Sequence, residues 1–216
     1  MPVFSQFIPD FFHLLFPEYC NACGTQLVRG EKQLCIKCRY DLPYTDFHLY
    51  TANAVAKLFW GRLHCNAAMA MLYFRKGSRV QHLIHRLKYK DQTGLGFTLG
   101  KMLGERLAQS PAYHHADLII PVPLHPGRER NRGYNQSKCI ADGMTASLHI
   151  PVGTTQLIRQ KATGTQTRKS RYDRFENMRS VFHVPDAASL AGKHIILVDD
   201  VITTGATLEA CGQVLL

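Results

Sequence analysis

The sequence predicts an α/β domain with a parallel sheet covered by helices on both faces, preceded by a small module built around four cysteines. Two short runs, residues 118–122 and 195–198, are apolar without the alternation of a half-exposed strand. Segments with apolar residues at helical spacing separate these runs. Continuous apolar strands alternating with helices are typical of parallel sheets with both faces buried. The four cysteines come in two closely spaced pairs near the start of the chain.

The chain of 216 residues carries a formal net charge of +10, from 26 Lys and Arg against 16 Asp and Glu. The excess lies in the middle, because residues 61–150 hold 13 basic and 5 acidic residues, whereas residues 1–60 hold 5 of each. Such a basic protein suits an anionic partner, either nucleic acid or a phosphorylated metabolite. For any single Lys or Arg, a solvated surface position is the alternative interpretation.

Residues 1–20 are apolar enough to raise the question of a signal peptide. They contain Asp10 and Glu18, lack a basic start and have no small-residue cleavage site. No run approaches the roughly 18 uncharged apolar residues that a membrane span requires. We therefore predict a soluble cytoplasmic protein without membrane insertion. Seven cysteines, four of them at a metal-like spacing, fit that reducing compartment.

Two C-x2-C pairs are separated by eleven residues and consist of Cys20, Cys23, Cys35 and Cys38. Two residues between thiols let one tight turn direct both sulfurs at one ion, and two such turns complete a tetrahedron around Zn²⁺. Disulfides or unrelated thiols are the alternative. Because four thiolates leave no open coordination position, we predict a structural zinc. Its module, residues 1–48, also holds a predicted N-terminal helix, and residues 49–216 are predicted to form the main domain.

A predicted strand at residues 67–74 is followed by residues 79–90, where apolar residues recur at helical spacing. The remaining positions of this helix are largely basic and suit contacts to phosphates, and Tyr89 near its end could stack on a base. The candidate DNA-binding residues here are Arg86, Lys88, Tyr89 and Lys90. A basic amphipathic helix packed on the sheet is the alternative. The next helix, residues 95–107, carries glycines four apart, which predict close packing of this helix on the sheet.

The strand at 118–122 leads into a proline-stiffened loop. This loop carries three further candidate DNA-binding cations, Arg128, Arg130 and Arg132. In parallel sheets, ligands bind beyond the carboxyl ends of the strands. Since the loops after residues 122 and 198 both leave their strands at that edge, we expect them to form one site.

The run at 195–198 ends in adjacent carboxylates, Asp199 and Asp200, and then in a loop of small and hydroxyl residues. The helix that follows offers backbone N–H groups to a phosphate, and Gly205 lets the backbone approach that phosphate closely. The two acids suit the hydroxyls of a sugar, or a magnesium ion bound through water. The pattern therefore predicts a phosphorylated ribose as ligand. Acids that merely cap a helix are the alternative.

This stretch resembles the 5-phosphoribosyl-1-pyrophosphate (PRPP) motif of type I phosphoribosyltransferases. The order of the blocks resembles the ComF family of competence-related and DNA-utilisation proteins. Those blocks are the cysteine pairs, LKYK at 87–90, PVPLHPGRERNRGYNQ at 121–136, the spacing of Gln166, Ser170, Arg174 and Asn177, and the PRPP motif. The resemblance covers nearly the whole chain and implies a type I phosphoribosyltransferase-like sheet.

The resemblance also implies a role for each residue of the site. Asp199 and Asp200 would be the catalytic acids that hold the ribose, and Mg²⁺ would accompany PRPP. Residues 159–180 would form a flexible hood that closes over the ligand. The implied PRPP-binding residues are Val201, Thr203, Thr204, Gly205, Ala206 and Thr207, the pyrophosphate-loop residues Pro123, Leu124 and His125, and Arg174 of the hood.

Two features depart from the family pattern. Lys169 stands where an apolar residue usually precedes the hood serine, which makes this hood more basic. The chain ends at Leu216, where the fold normally adds a strand. We therefore expect either a truncated chain or a sheet that closes differently.

The favoured function is that of a PRPP-binding protein of natural competence, which handles incoming single-stranded DNA in the cytoplasm. Competence helicase or recombination proteins are the candidate partners. The alternative is an active phosphoribosyltransferase that transfers phosphoribose from PRPP to a nitrogen nucleophile.

Overall fold

A computed structural model describes residues 17–89, 92–159 and 181–216. The helices are α1 (Ile36–Asp41), α2 (Arg79–Lys88), α3 (Thr93–Leu107), α4 (Pro126–Arg132), α5 (Gln136–Leu148) and α6 (Ala206–Leu215). The strands are β1 (Leu118–Pro121), β2 (Ile158–Arg159), β3 (Phe182–His183) and β4 (Ile195–Val198). Short 3-10 helices cover Phe47–Leu49, Ala56–Leu58, Pro111–Tyr113 and Ala188–Leu190. The predicted N-terminal helix falls in residues 1–16, outside the described residues.

The centre of the fold is the parallel pair of strands β1 and β4. Their register joins Leu118 to Ile195 and Pro121 to Val198. The Val122 N–H extends the pairing by donating to the Val198 carbonyl oxygen at 2.8 Å. β2 and β3 form a separate antiparallel pair. The predicted α/β class is confirmed, and the loops after β1 and β4 begin side by side at one edge of the sheet.

Hydrophobic clusters cover both faces of this strand pair: β1 is fully buried, and Ile195, Ile196 and Leu197 of β4 are half-buried. Ile119 of β1 belongs to one hydrophobic cluster with residues of α2, α3 and α5. Leu118 and Ile120 belong to a second cluster that includes Ala210 and Cys211 of α6. This arrangement explains why the strands lack alternating polar residues. No helix within the described ranges combines the length and the apolar character that crossing a membrane requires.

The cysteine module shares a hydrophobic cluster with the basic helix α2. Cys20 and Leu34 of the module lie in the same buried cluster as Val80, Leu83 and Leu87 of α2. A module of this length is too short to bury a core by itself. Packing on α2 therefore supplies apolar burial that the module would otherwise lack.

Two predicted elements have a different structure. The predicted strand at 67–74 was wrong: these residues meet residues 43–45 through an isolated bridge between Tyr44 and Leu72. The Tyr73 N–H donates to the Pro43 carbonyl oxygen at 2.9 Å and the Thr45 N–H to the Met71 carbonyl oxygen at 3.1 Å, and this pairing is too short to form a ladder. The predicted loop after β1 contains the short helix α4, which begins at Pro126 because the His125 side chain caps it. Proline at a first helical position loses no hydrogen bond.

Gly96, Gly100 and Gly104 of α3 face helix α5 rather than the sheet, which corrects the predicted contact. A Cβ atom on Gly100 would collide with the Ile140 carbonyl group, and one on Gly143 of α5 would collide with the Phe97 carbonyl group. A Cβ on Gly104 would lie 2.8 Å from the Met144 carbonyl oxygen. The two helices thus pack with their backbones in contact, which only residues without side chains allow.

Replacing Gly100 by Ala should lower the free energy of unfolding by about 2 kcal/mol, because the added methyl group forces the two backbones apart. Urea unfolding curves measure this change. Gly94→Ala in the first turn of α3 is the matched control, since its Cβ would meet only the end of the Gln33 side chain, 3.0 Å away. Wild-type stability of Gly100→Ala would contradict the close contact between the helices.

Candidate functional site

The candidate site begins where β1 and β4 end. Asn135 ties this edge to helix α5: its Nδ2 donates to the Val122 carbonyl oxygen at 3.0 Å. Its Oδ1 accepts from the Ser137 N–H at 3.0 Å, which caps the helix. The loop that follows β1 and the first turn of α5 are therefore held together beside the end of β4.

The two adjacent acids have different partners. Ser137 Oγ donates to Asp199 Oδ1 at 3.0 Å, and the Asp200 N–H donates to the same oxygen at 2.9 Å. Lys88 Nζ, from the end of α2, lies 3.1 Å from Asp200 Oδ2. Burial, followed by the charge of Asp200, raises the pKa of Asp199 from 3.8 to about 6. Asp199 therefore binds a proton more readily than a carboxylate in water.

The loop after the acids opens helix α6. Gly205 has a φ of 78° and directly precedes the helix. This left-handed conformation favours glycine. The first turn of a helix leaves backbone N–H groups unpaired, and these attract anions. Around Gly205, the exposed loop residues are Thr203, Thr204 and Thr207, and the half-buried ones are Val201 and Ala206.

The loop after β1 comes to the same edge of the sheet. Its residues Pro123, Leu124 and His125 are half-buried, and His125 Nδ1 accepts from the Gly127 N–H at 3.1 Å. Helix α4 follows, with Arg128 and Arg130 exposed. The third cation, Arg132, donates from Nη1 to Gln136 Oε1 at 2.8 Å. Part of its guanidinium group therefore connects α4 to α5.

The basic helix α2 lies between the acids and the cysteine module. Lys88 meets Asp200, and Arg86 Nη1 donates to Asn21 Oδ1 at 3.2 Å beside Cys20. Tyr89 is 54% exposed and its ring centroid lies 4.7 Å from that of His85. Among Arg86, Lys88 and Tyr89, the candidates here that the structure describes, Lys88 is the one paired with an acid of the site, while Tyr89 faces solvent.

Part of the predicted site lies outside the described residues: Lys90, Arg174 and the rest of the hood at 160–180. The segment predicted as the hood starts at Arg159, whose guanidinium carbon lies 5.5 Å from the Phe182 ring centroid. Burial, followed by the nearby charge of Arg128, lowers the pKa of Arg159. An anion between these like charges would relieve their repulsion.

Sequence reasoning missed Ser137, although it donates to Asp199. Its role depends on how α5 meets the sheet, which no local pattern reveals. The sequence signal for this helix start is Asn135, because Asn is among the preferred N-cap residues. Lys88 was found as a cation, but its acidic partner, 112 positions later in the chain, was not.

The four cysteine sulfurs lie within 4.8 Å of one another, and Cys23 Sγ and Cys35 Sγ are 3.8 Å apart. Zinc–sulfur bonds of about 2.3 Å in a tetrahedron place sulfurs about 3.8 Å apart, so this cluster fits Zn²⁺. The Cys38 N–H reaches Cys35 Sγ, and the Cys35 N–H reaches Cys20 Sγ, each at 3.4 Å. Such donors favour the thiolates that a metal needs.

Comparison with known proteins matches residues 139–216 to the phosphoribosyl transferase domain. The chain is 30% identical over 201 residues to the DNA utilization protein YhgH of Shigella flexneri, covering 91% of this chain and 83% of that protein. It is 34% identical over 204 residues to competence protein F of Haemophilus influenzae, covering 93% and 79%. Competence protein ComFC of Bacillus subtilis is 33% identical over 99 residues, covering 46% and 38%.

No solved structure matched the chain significantly. The curated relatives nevertheless extend the similarity well beyond the phosphoribosyl transferase domain, into the cysteine module and the basic helix. Because two of them, YhgH and competence protein F, are matched over about four fifths of their own length, the chain belongs to the ComF family.

Proposed function

We propose that this protein binds PRPP with Mg²⁺ and acts in natural competence, where it handles incoming single-stranded DNA in the cytoplasm. The observation that carries PRPP binding is the meeting of two loops at one edge of the sheet. One follows β4 and holds Asp199 and Asp200, and the other is the loop at 123–125 after β1. The names of the relatives, competence protein F and DNA utilization protein, support the biological role.

Each part of PRPP has a matching group in this arrangement. Ionised Asp199 and Asp200 accept hydrogen bonds from the ribose hydroxyls. The loop at 203–207 donates backbone and hydroxyl hydrogen bonds to the 5-phosphate. Residues 123–125, together with Arg174 of the hood, would hold the pyrophosphate. Mg²⁺ would offset the charge of the phosphates, which would otherwise repel the acids.

Two neighbours prepare the acids for an anionic ligand. Ser137 occupies one oxygen of Asp199 and so fixes the orientation of that carboxylate. Lys88 offsets the charge of Asp200, whose side chain is only 14% exposed. A phosphorylated sugar therefore meets a weaker negative field than two free carboxylates would create.

The proposed DNA contacts differ in how free their side chains are. Tyr89, Arg128 and Arg130 are exposed and suit stacking and phosphate contacts. Arg86, Lys88 and Arg132 already have partners within the protein. Arg86 is also exposed, but it is bonded to Asn21. We therefore assign the main contacts to Tyr89, Arg128 and Arg130, with Lys90 as a further candidate. Competence helicase or recombination proteins are the candidate partners in this role.

The alternative function is that of an active phosphoribosyltransferase acting on a nitrogen nucleophile. The observation that favours it is the positive charge beside the acids, where Arg159 and Arg128 lie near enough to affect each other. Cations at this position would stabilise departing pyrophosphate. Pyrophosphate release in the presence of a nucleophile distinguishes this activity from binding alone.

We also infer that the cysteine cluster holds Zn²⁺. The spacing of the sulfurs fits a tetrahedral ion, and three of the four cysteines are buried. Four thiolates would fill the coordination shell, so the ion would have a structural role. It would fix the module against α2, on which the module packs.

Replacing both acids, Asp199→Asn with Asp200→Asn, should abolish PRPP binding measured by titration calorimetry, because neutral amides lose the charge-assisted bonds to the ribose.

Fluorescence anisotropy of a labelled single-stranded oligonucleotide tests the DNA role. The wild type should bind with an affinity that falls steeply with salt and shifts on adding Mg–PRPP. The double variant should still bind DNA but should not respond to PRPP.

Asp142→Asn is the matched control, since Asp142 is an acid of α5 that pairs with Lys138 on the surface. This variant should bind PRPP like the wild type. Unchanged PRPP affinity in the double variant would contradict the ribose assignment. Absence of DNA binding at low salt would contradict the DNA role and favour the enzyme alternative.

Replacing Cys20 and Cys23 by Ser should release one zinc ion per chain and lower the midpoint of thermal unfolding by about 10 °C. Elemental analysis and thermal scans measure the two effects. Cys65→Ser is the control, because Cys65 is exposed and outside the cluster. A purified wild type without zinc would show that the metal assignment is wrong.

Asp199→Asn should stabilise the ligand-free protein at pH 8 by about 1–2 kcal/mol. The pKa of Asp199 is raised in the folded state, so the folded protein binds this proton more tightly than the unfolded chain. The resulting stability is present below pH 3.8 and is lost as the pH rises through about 6. Urea unfolding at pH 8 and pH 5 should show the advantage of Asn shrinking at the lower pH. A constant difference would contradict the raised pKa.

A further inference from the structure

Residues 53–63 form a strap that crosses behind the loop at 203–207. Its start is fixed by Asn53, which is buried. Asn53 Nδ2 donates to the carbonyl oxygens of Tyr50 at 2.7 Å and Ala68 at 2.8 Å. Its Oδ1 accepts from the Val55 N–H at 2.9 Å. The first residues of the strap are therefore held to neighbouring segments, and its later residues pack behind the loop at 203–207.

Arg62, near the end of the strap, connects it to the loop at 203–207 and to α6. Its Nη1 donates to the carbonyl oxygens of Leu58 at 3.0 Å and Thr204 at 3.4 Å. Its Nη2 forms an ion pair with Glu209, whose side chain is only 3% exposed. Gln213 Nε2 lies 3.4 Å from Glu209 Oε1 and holds the acid from the other side. One guanidinium group thus contacts three separate parts of the structure.

The strap also covers the loop with an aromatic ring. A Cβ atom on Gly205 would lie 3.1 Å from Phe59 Cε1 and 3.2 Å from Phe59 Cζ. Gly205 is buried, whereas Thr203 and Thr204 are exposed. The ring therefore packs against the inner side of the loop and leaves its outer side open to a ligand.

The contact between Arg62 and the Thr204 carbonyl group sets the orientation of one peptide plane. In a trans peptide the C=O and N–H bonds point in opposite directions. With the Thr204 oxygen directed at Arg62, the Gly205 N–H points away from the strap. Glycine tolerates both signs of φ, so this plane would turn more easily without a partner for its oxygen.

Arg62 also offsets a charge that would oppose a phosphate. Glu209 lies in the first turns of α6, where the unpaired N–H groups attract anions. An ionised and unpaired carboxylate at this position would repel a phosphate bound at the same helix end. Arg62, whose side chain is 40% exposed, pairs with the buried Glu209 carboxylate and offsets its charge.

We propose that Arg62 is a positioning residue for recognition of the 5-phosphate: it orients the 204–205 peptide so that the Gly205 N–H donates to the phosphate, and it offsets the charge of Glu209. This role rests on the proposed function, because it requires the loop at 203–207 to bind a phosphate. Arg62 acts through the loop and does not contact the ligand.

The test compares ligands with and without a 5-phosphate on the variant Arg62→Lys. Lysine keeps the positive charge beside Glu209, but its single ammonium group cannot reach all three partners of the guanidinium group. Calorimetric titration should show PRPP and ribose 5-phosphate binding at least about tenfold more weakly. Mg–pyrophosphate should bind with wild-type affinity, because it does not use this loop.

Glu209→Gln is the matched control. It removes the acid but leaves Arg62 free to donate to the Thr204 oxygen, so affinity for ribose 5-phosphate should stay the same or increase. An equal loss of affinity in both variants would show that only the ion pair matters, and would overturn the role of the peptide contact. Wild-type affinity for ribose 5-phosphate in Arg62→Lys would overturn the proposal directly.

The double variant Arg62→Gln with Glu209→Gln covers the case in which Arg62→Lys fails to fold, since it leaves no buried charge unpaired. It should lose affinity for ribose 5-phosphate and keep affinity for Mg–pyrophosphate. Equal weakening of both ligands would overturn the proposal by indicating general damage. A wild type that binds neither PRPP nor ribose 5-phosphate would refute the proposed function itself, and the role of Arg62 with it.

Discussion

The parallel pairing of β1 with β4 is the constraint on which the candidate site depends. Each strand has only four residues, so a shift of register by one residue would exchange the faces that enter the two hydrophobic clusters. Burial on both sides therefore holds the register. Because the pairing continues to Val122 and Val198, the two loops leave the sheet side by side, at a separation that the strand pairing sets.

The helices then bring side chains to that edge. Helix α5 packs on α3 through glycines and shares a buried cluster with Ile119 of β1, and Ser137 in its first turn meets Asp199. Helix α2 is held at its end by Tyr134, whose hydroxyl donates to the Leu87 carbonyl oxygen at 2.6 Å. Lys88 follows directly and meets Asp200. Each acid thus receives its partner from a different helix.

What the sequence could predict depended on whether a feature is local. The two apolar strands, the cysteine pairs and the acids after β4 follow patterns of neighbouring residues, and the structure has them as expected. The segment at 67–74 looks like a strand because it is apolar, but strand formation needs a partner that local sequence does not reveal. The helix after Pro126 was hidden because its capping residue, His125, is not a common cap.

Local sequence patterns do not reveal the contacts that complete the site. Lys88 and Asp200, or Arg62 and Glu209, are far apart in the chain, and each residue taken alone is an ordinary surface charge. Only the packing of α2 and of the strap shows which charges meet. Glu209 would be taken for a solvated helix residue, whereas its burial makes a cationic partner necessary.

The shared burial of the cysteine module and α2 affects whether the module can be removed or exchanged. Val80, Leu83 and Leu87 are buried in the same cluster as residues of the module, so a gene fragment that begins after the module would encode a protein with more apolar surface exposed around α2. Such a patch promotes aggregation. The module is therefore poorly suited to exchange between proteins. Separating it from α2 would also disturb the helix whose last residue, Lys88, pairs with Asp200.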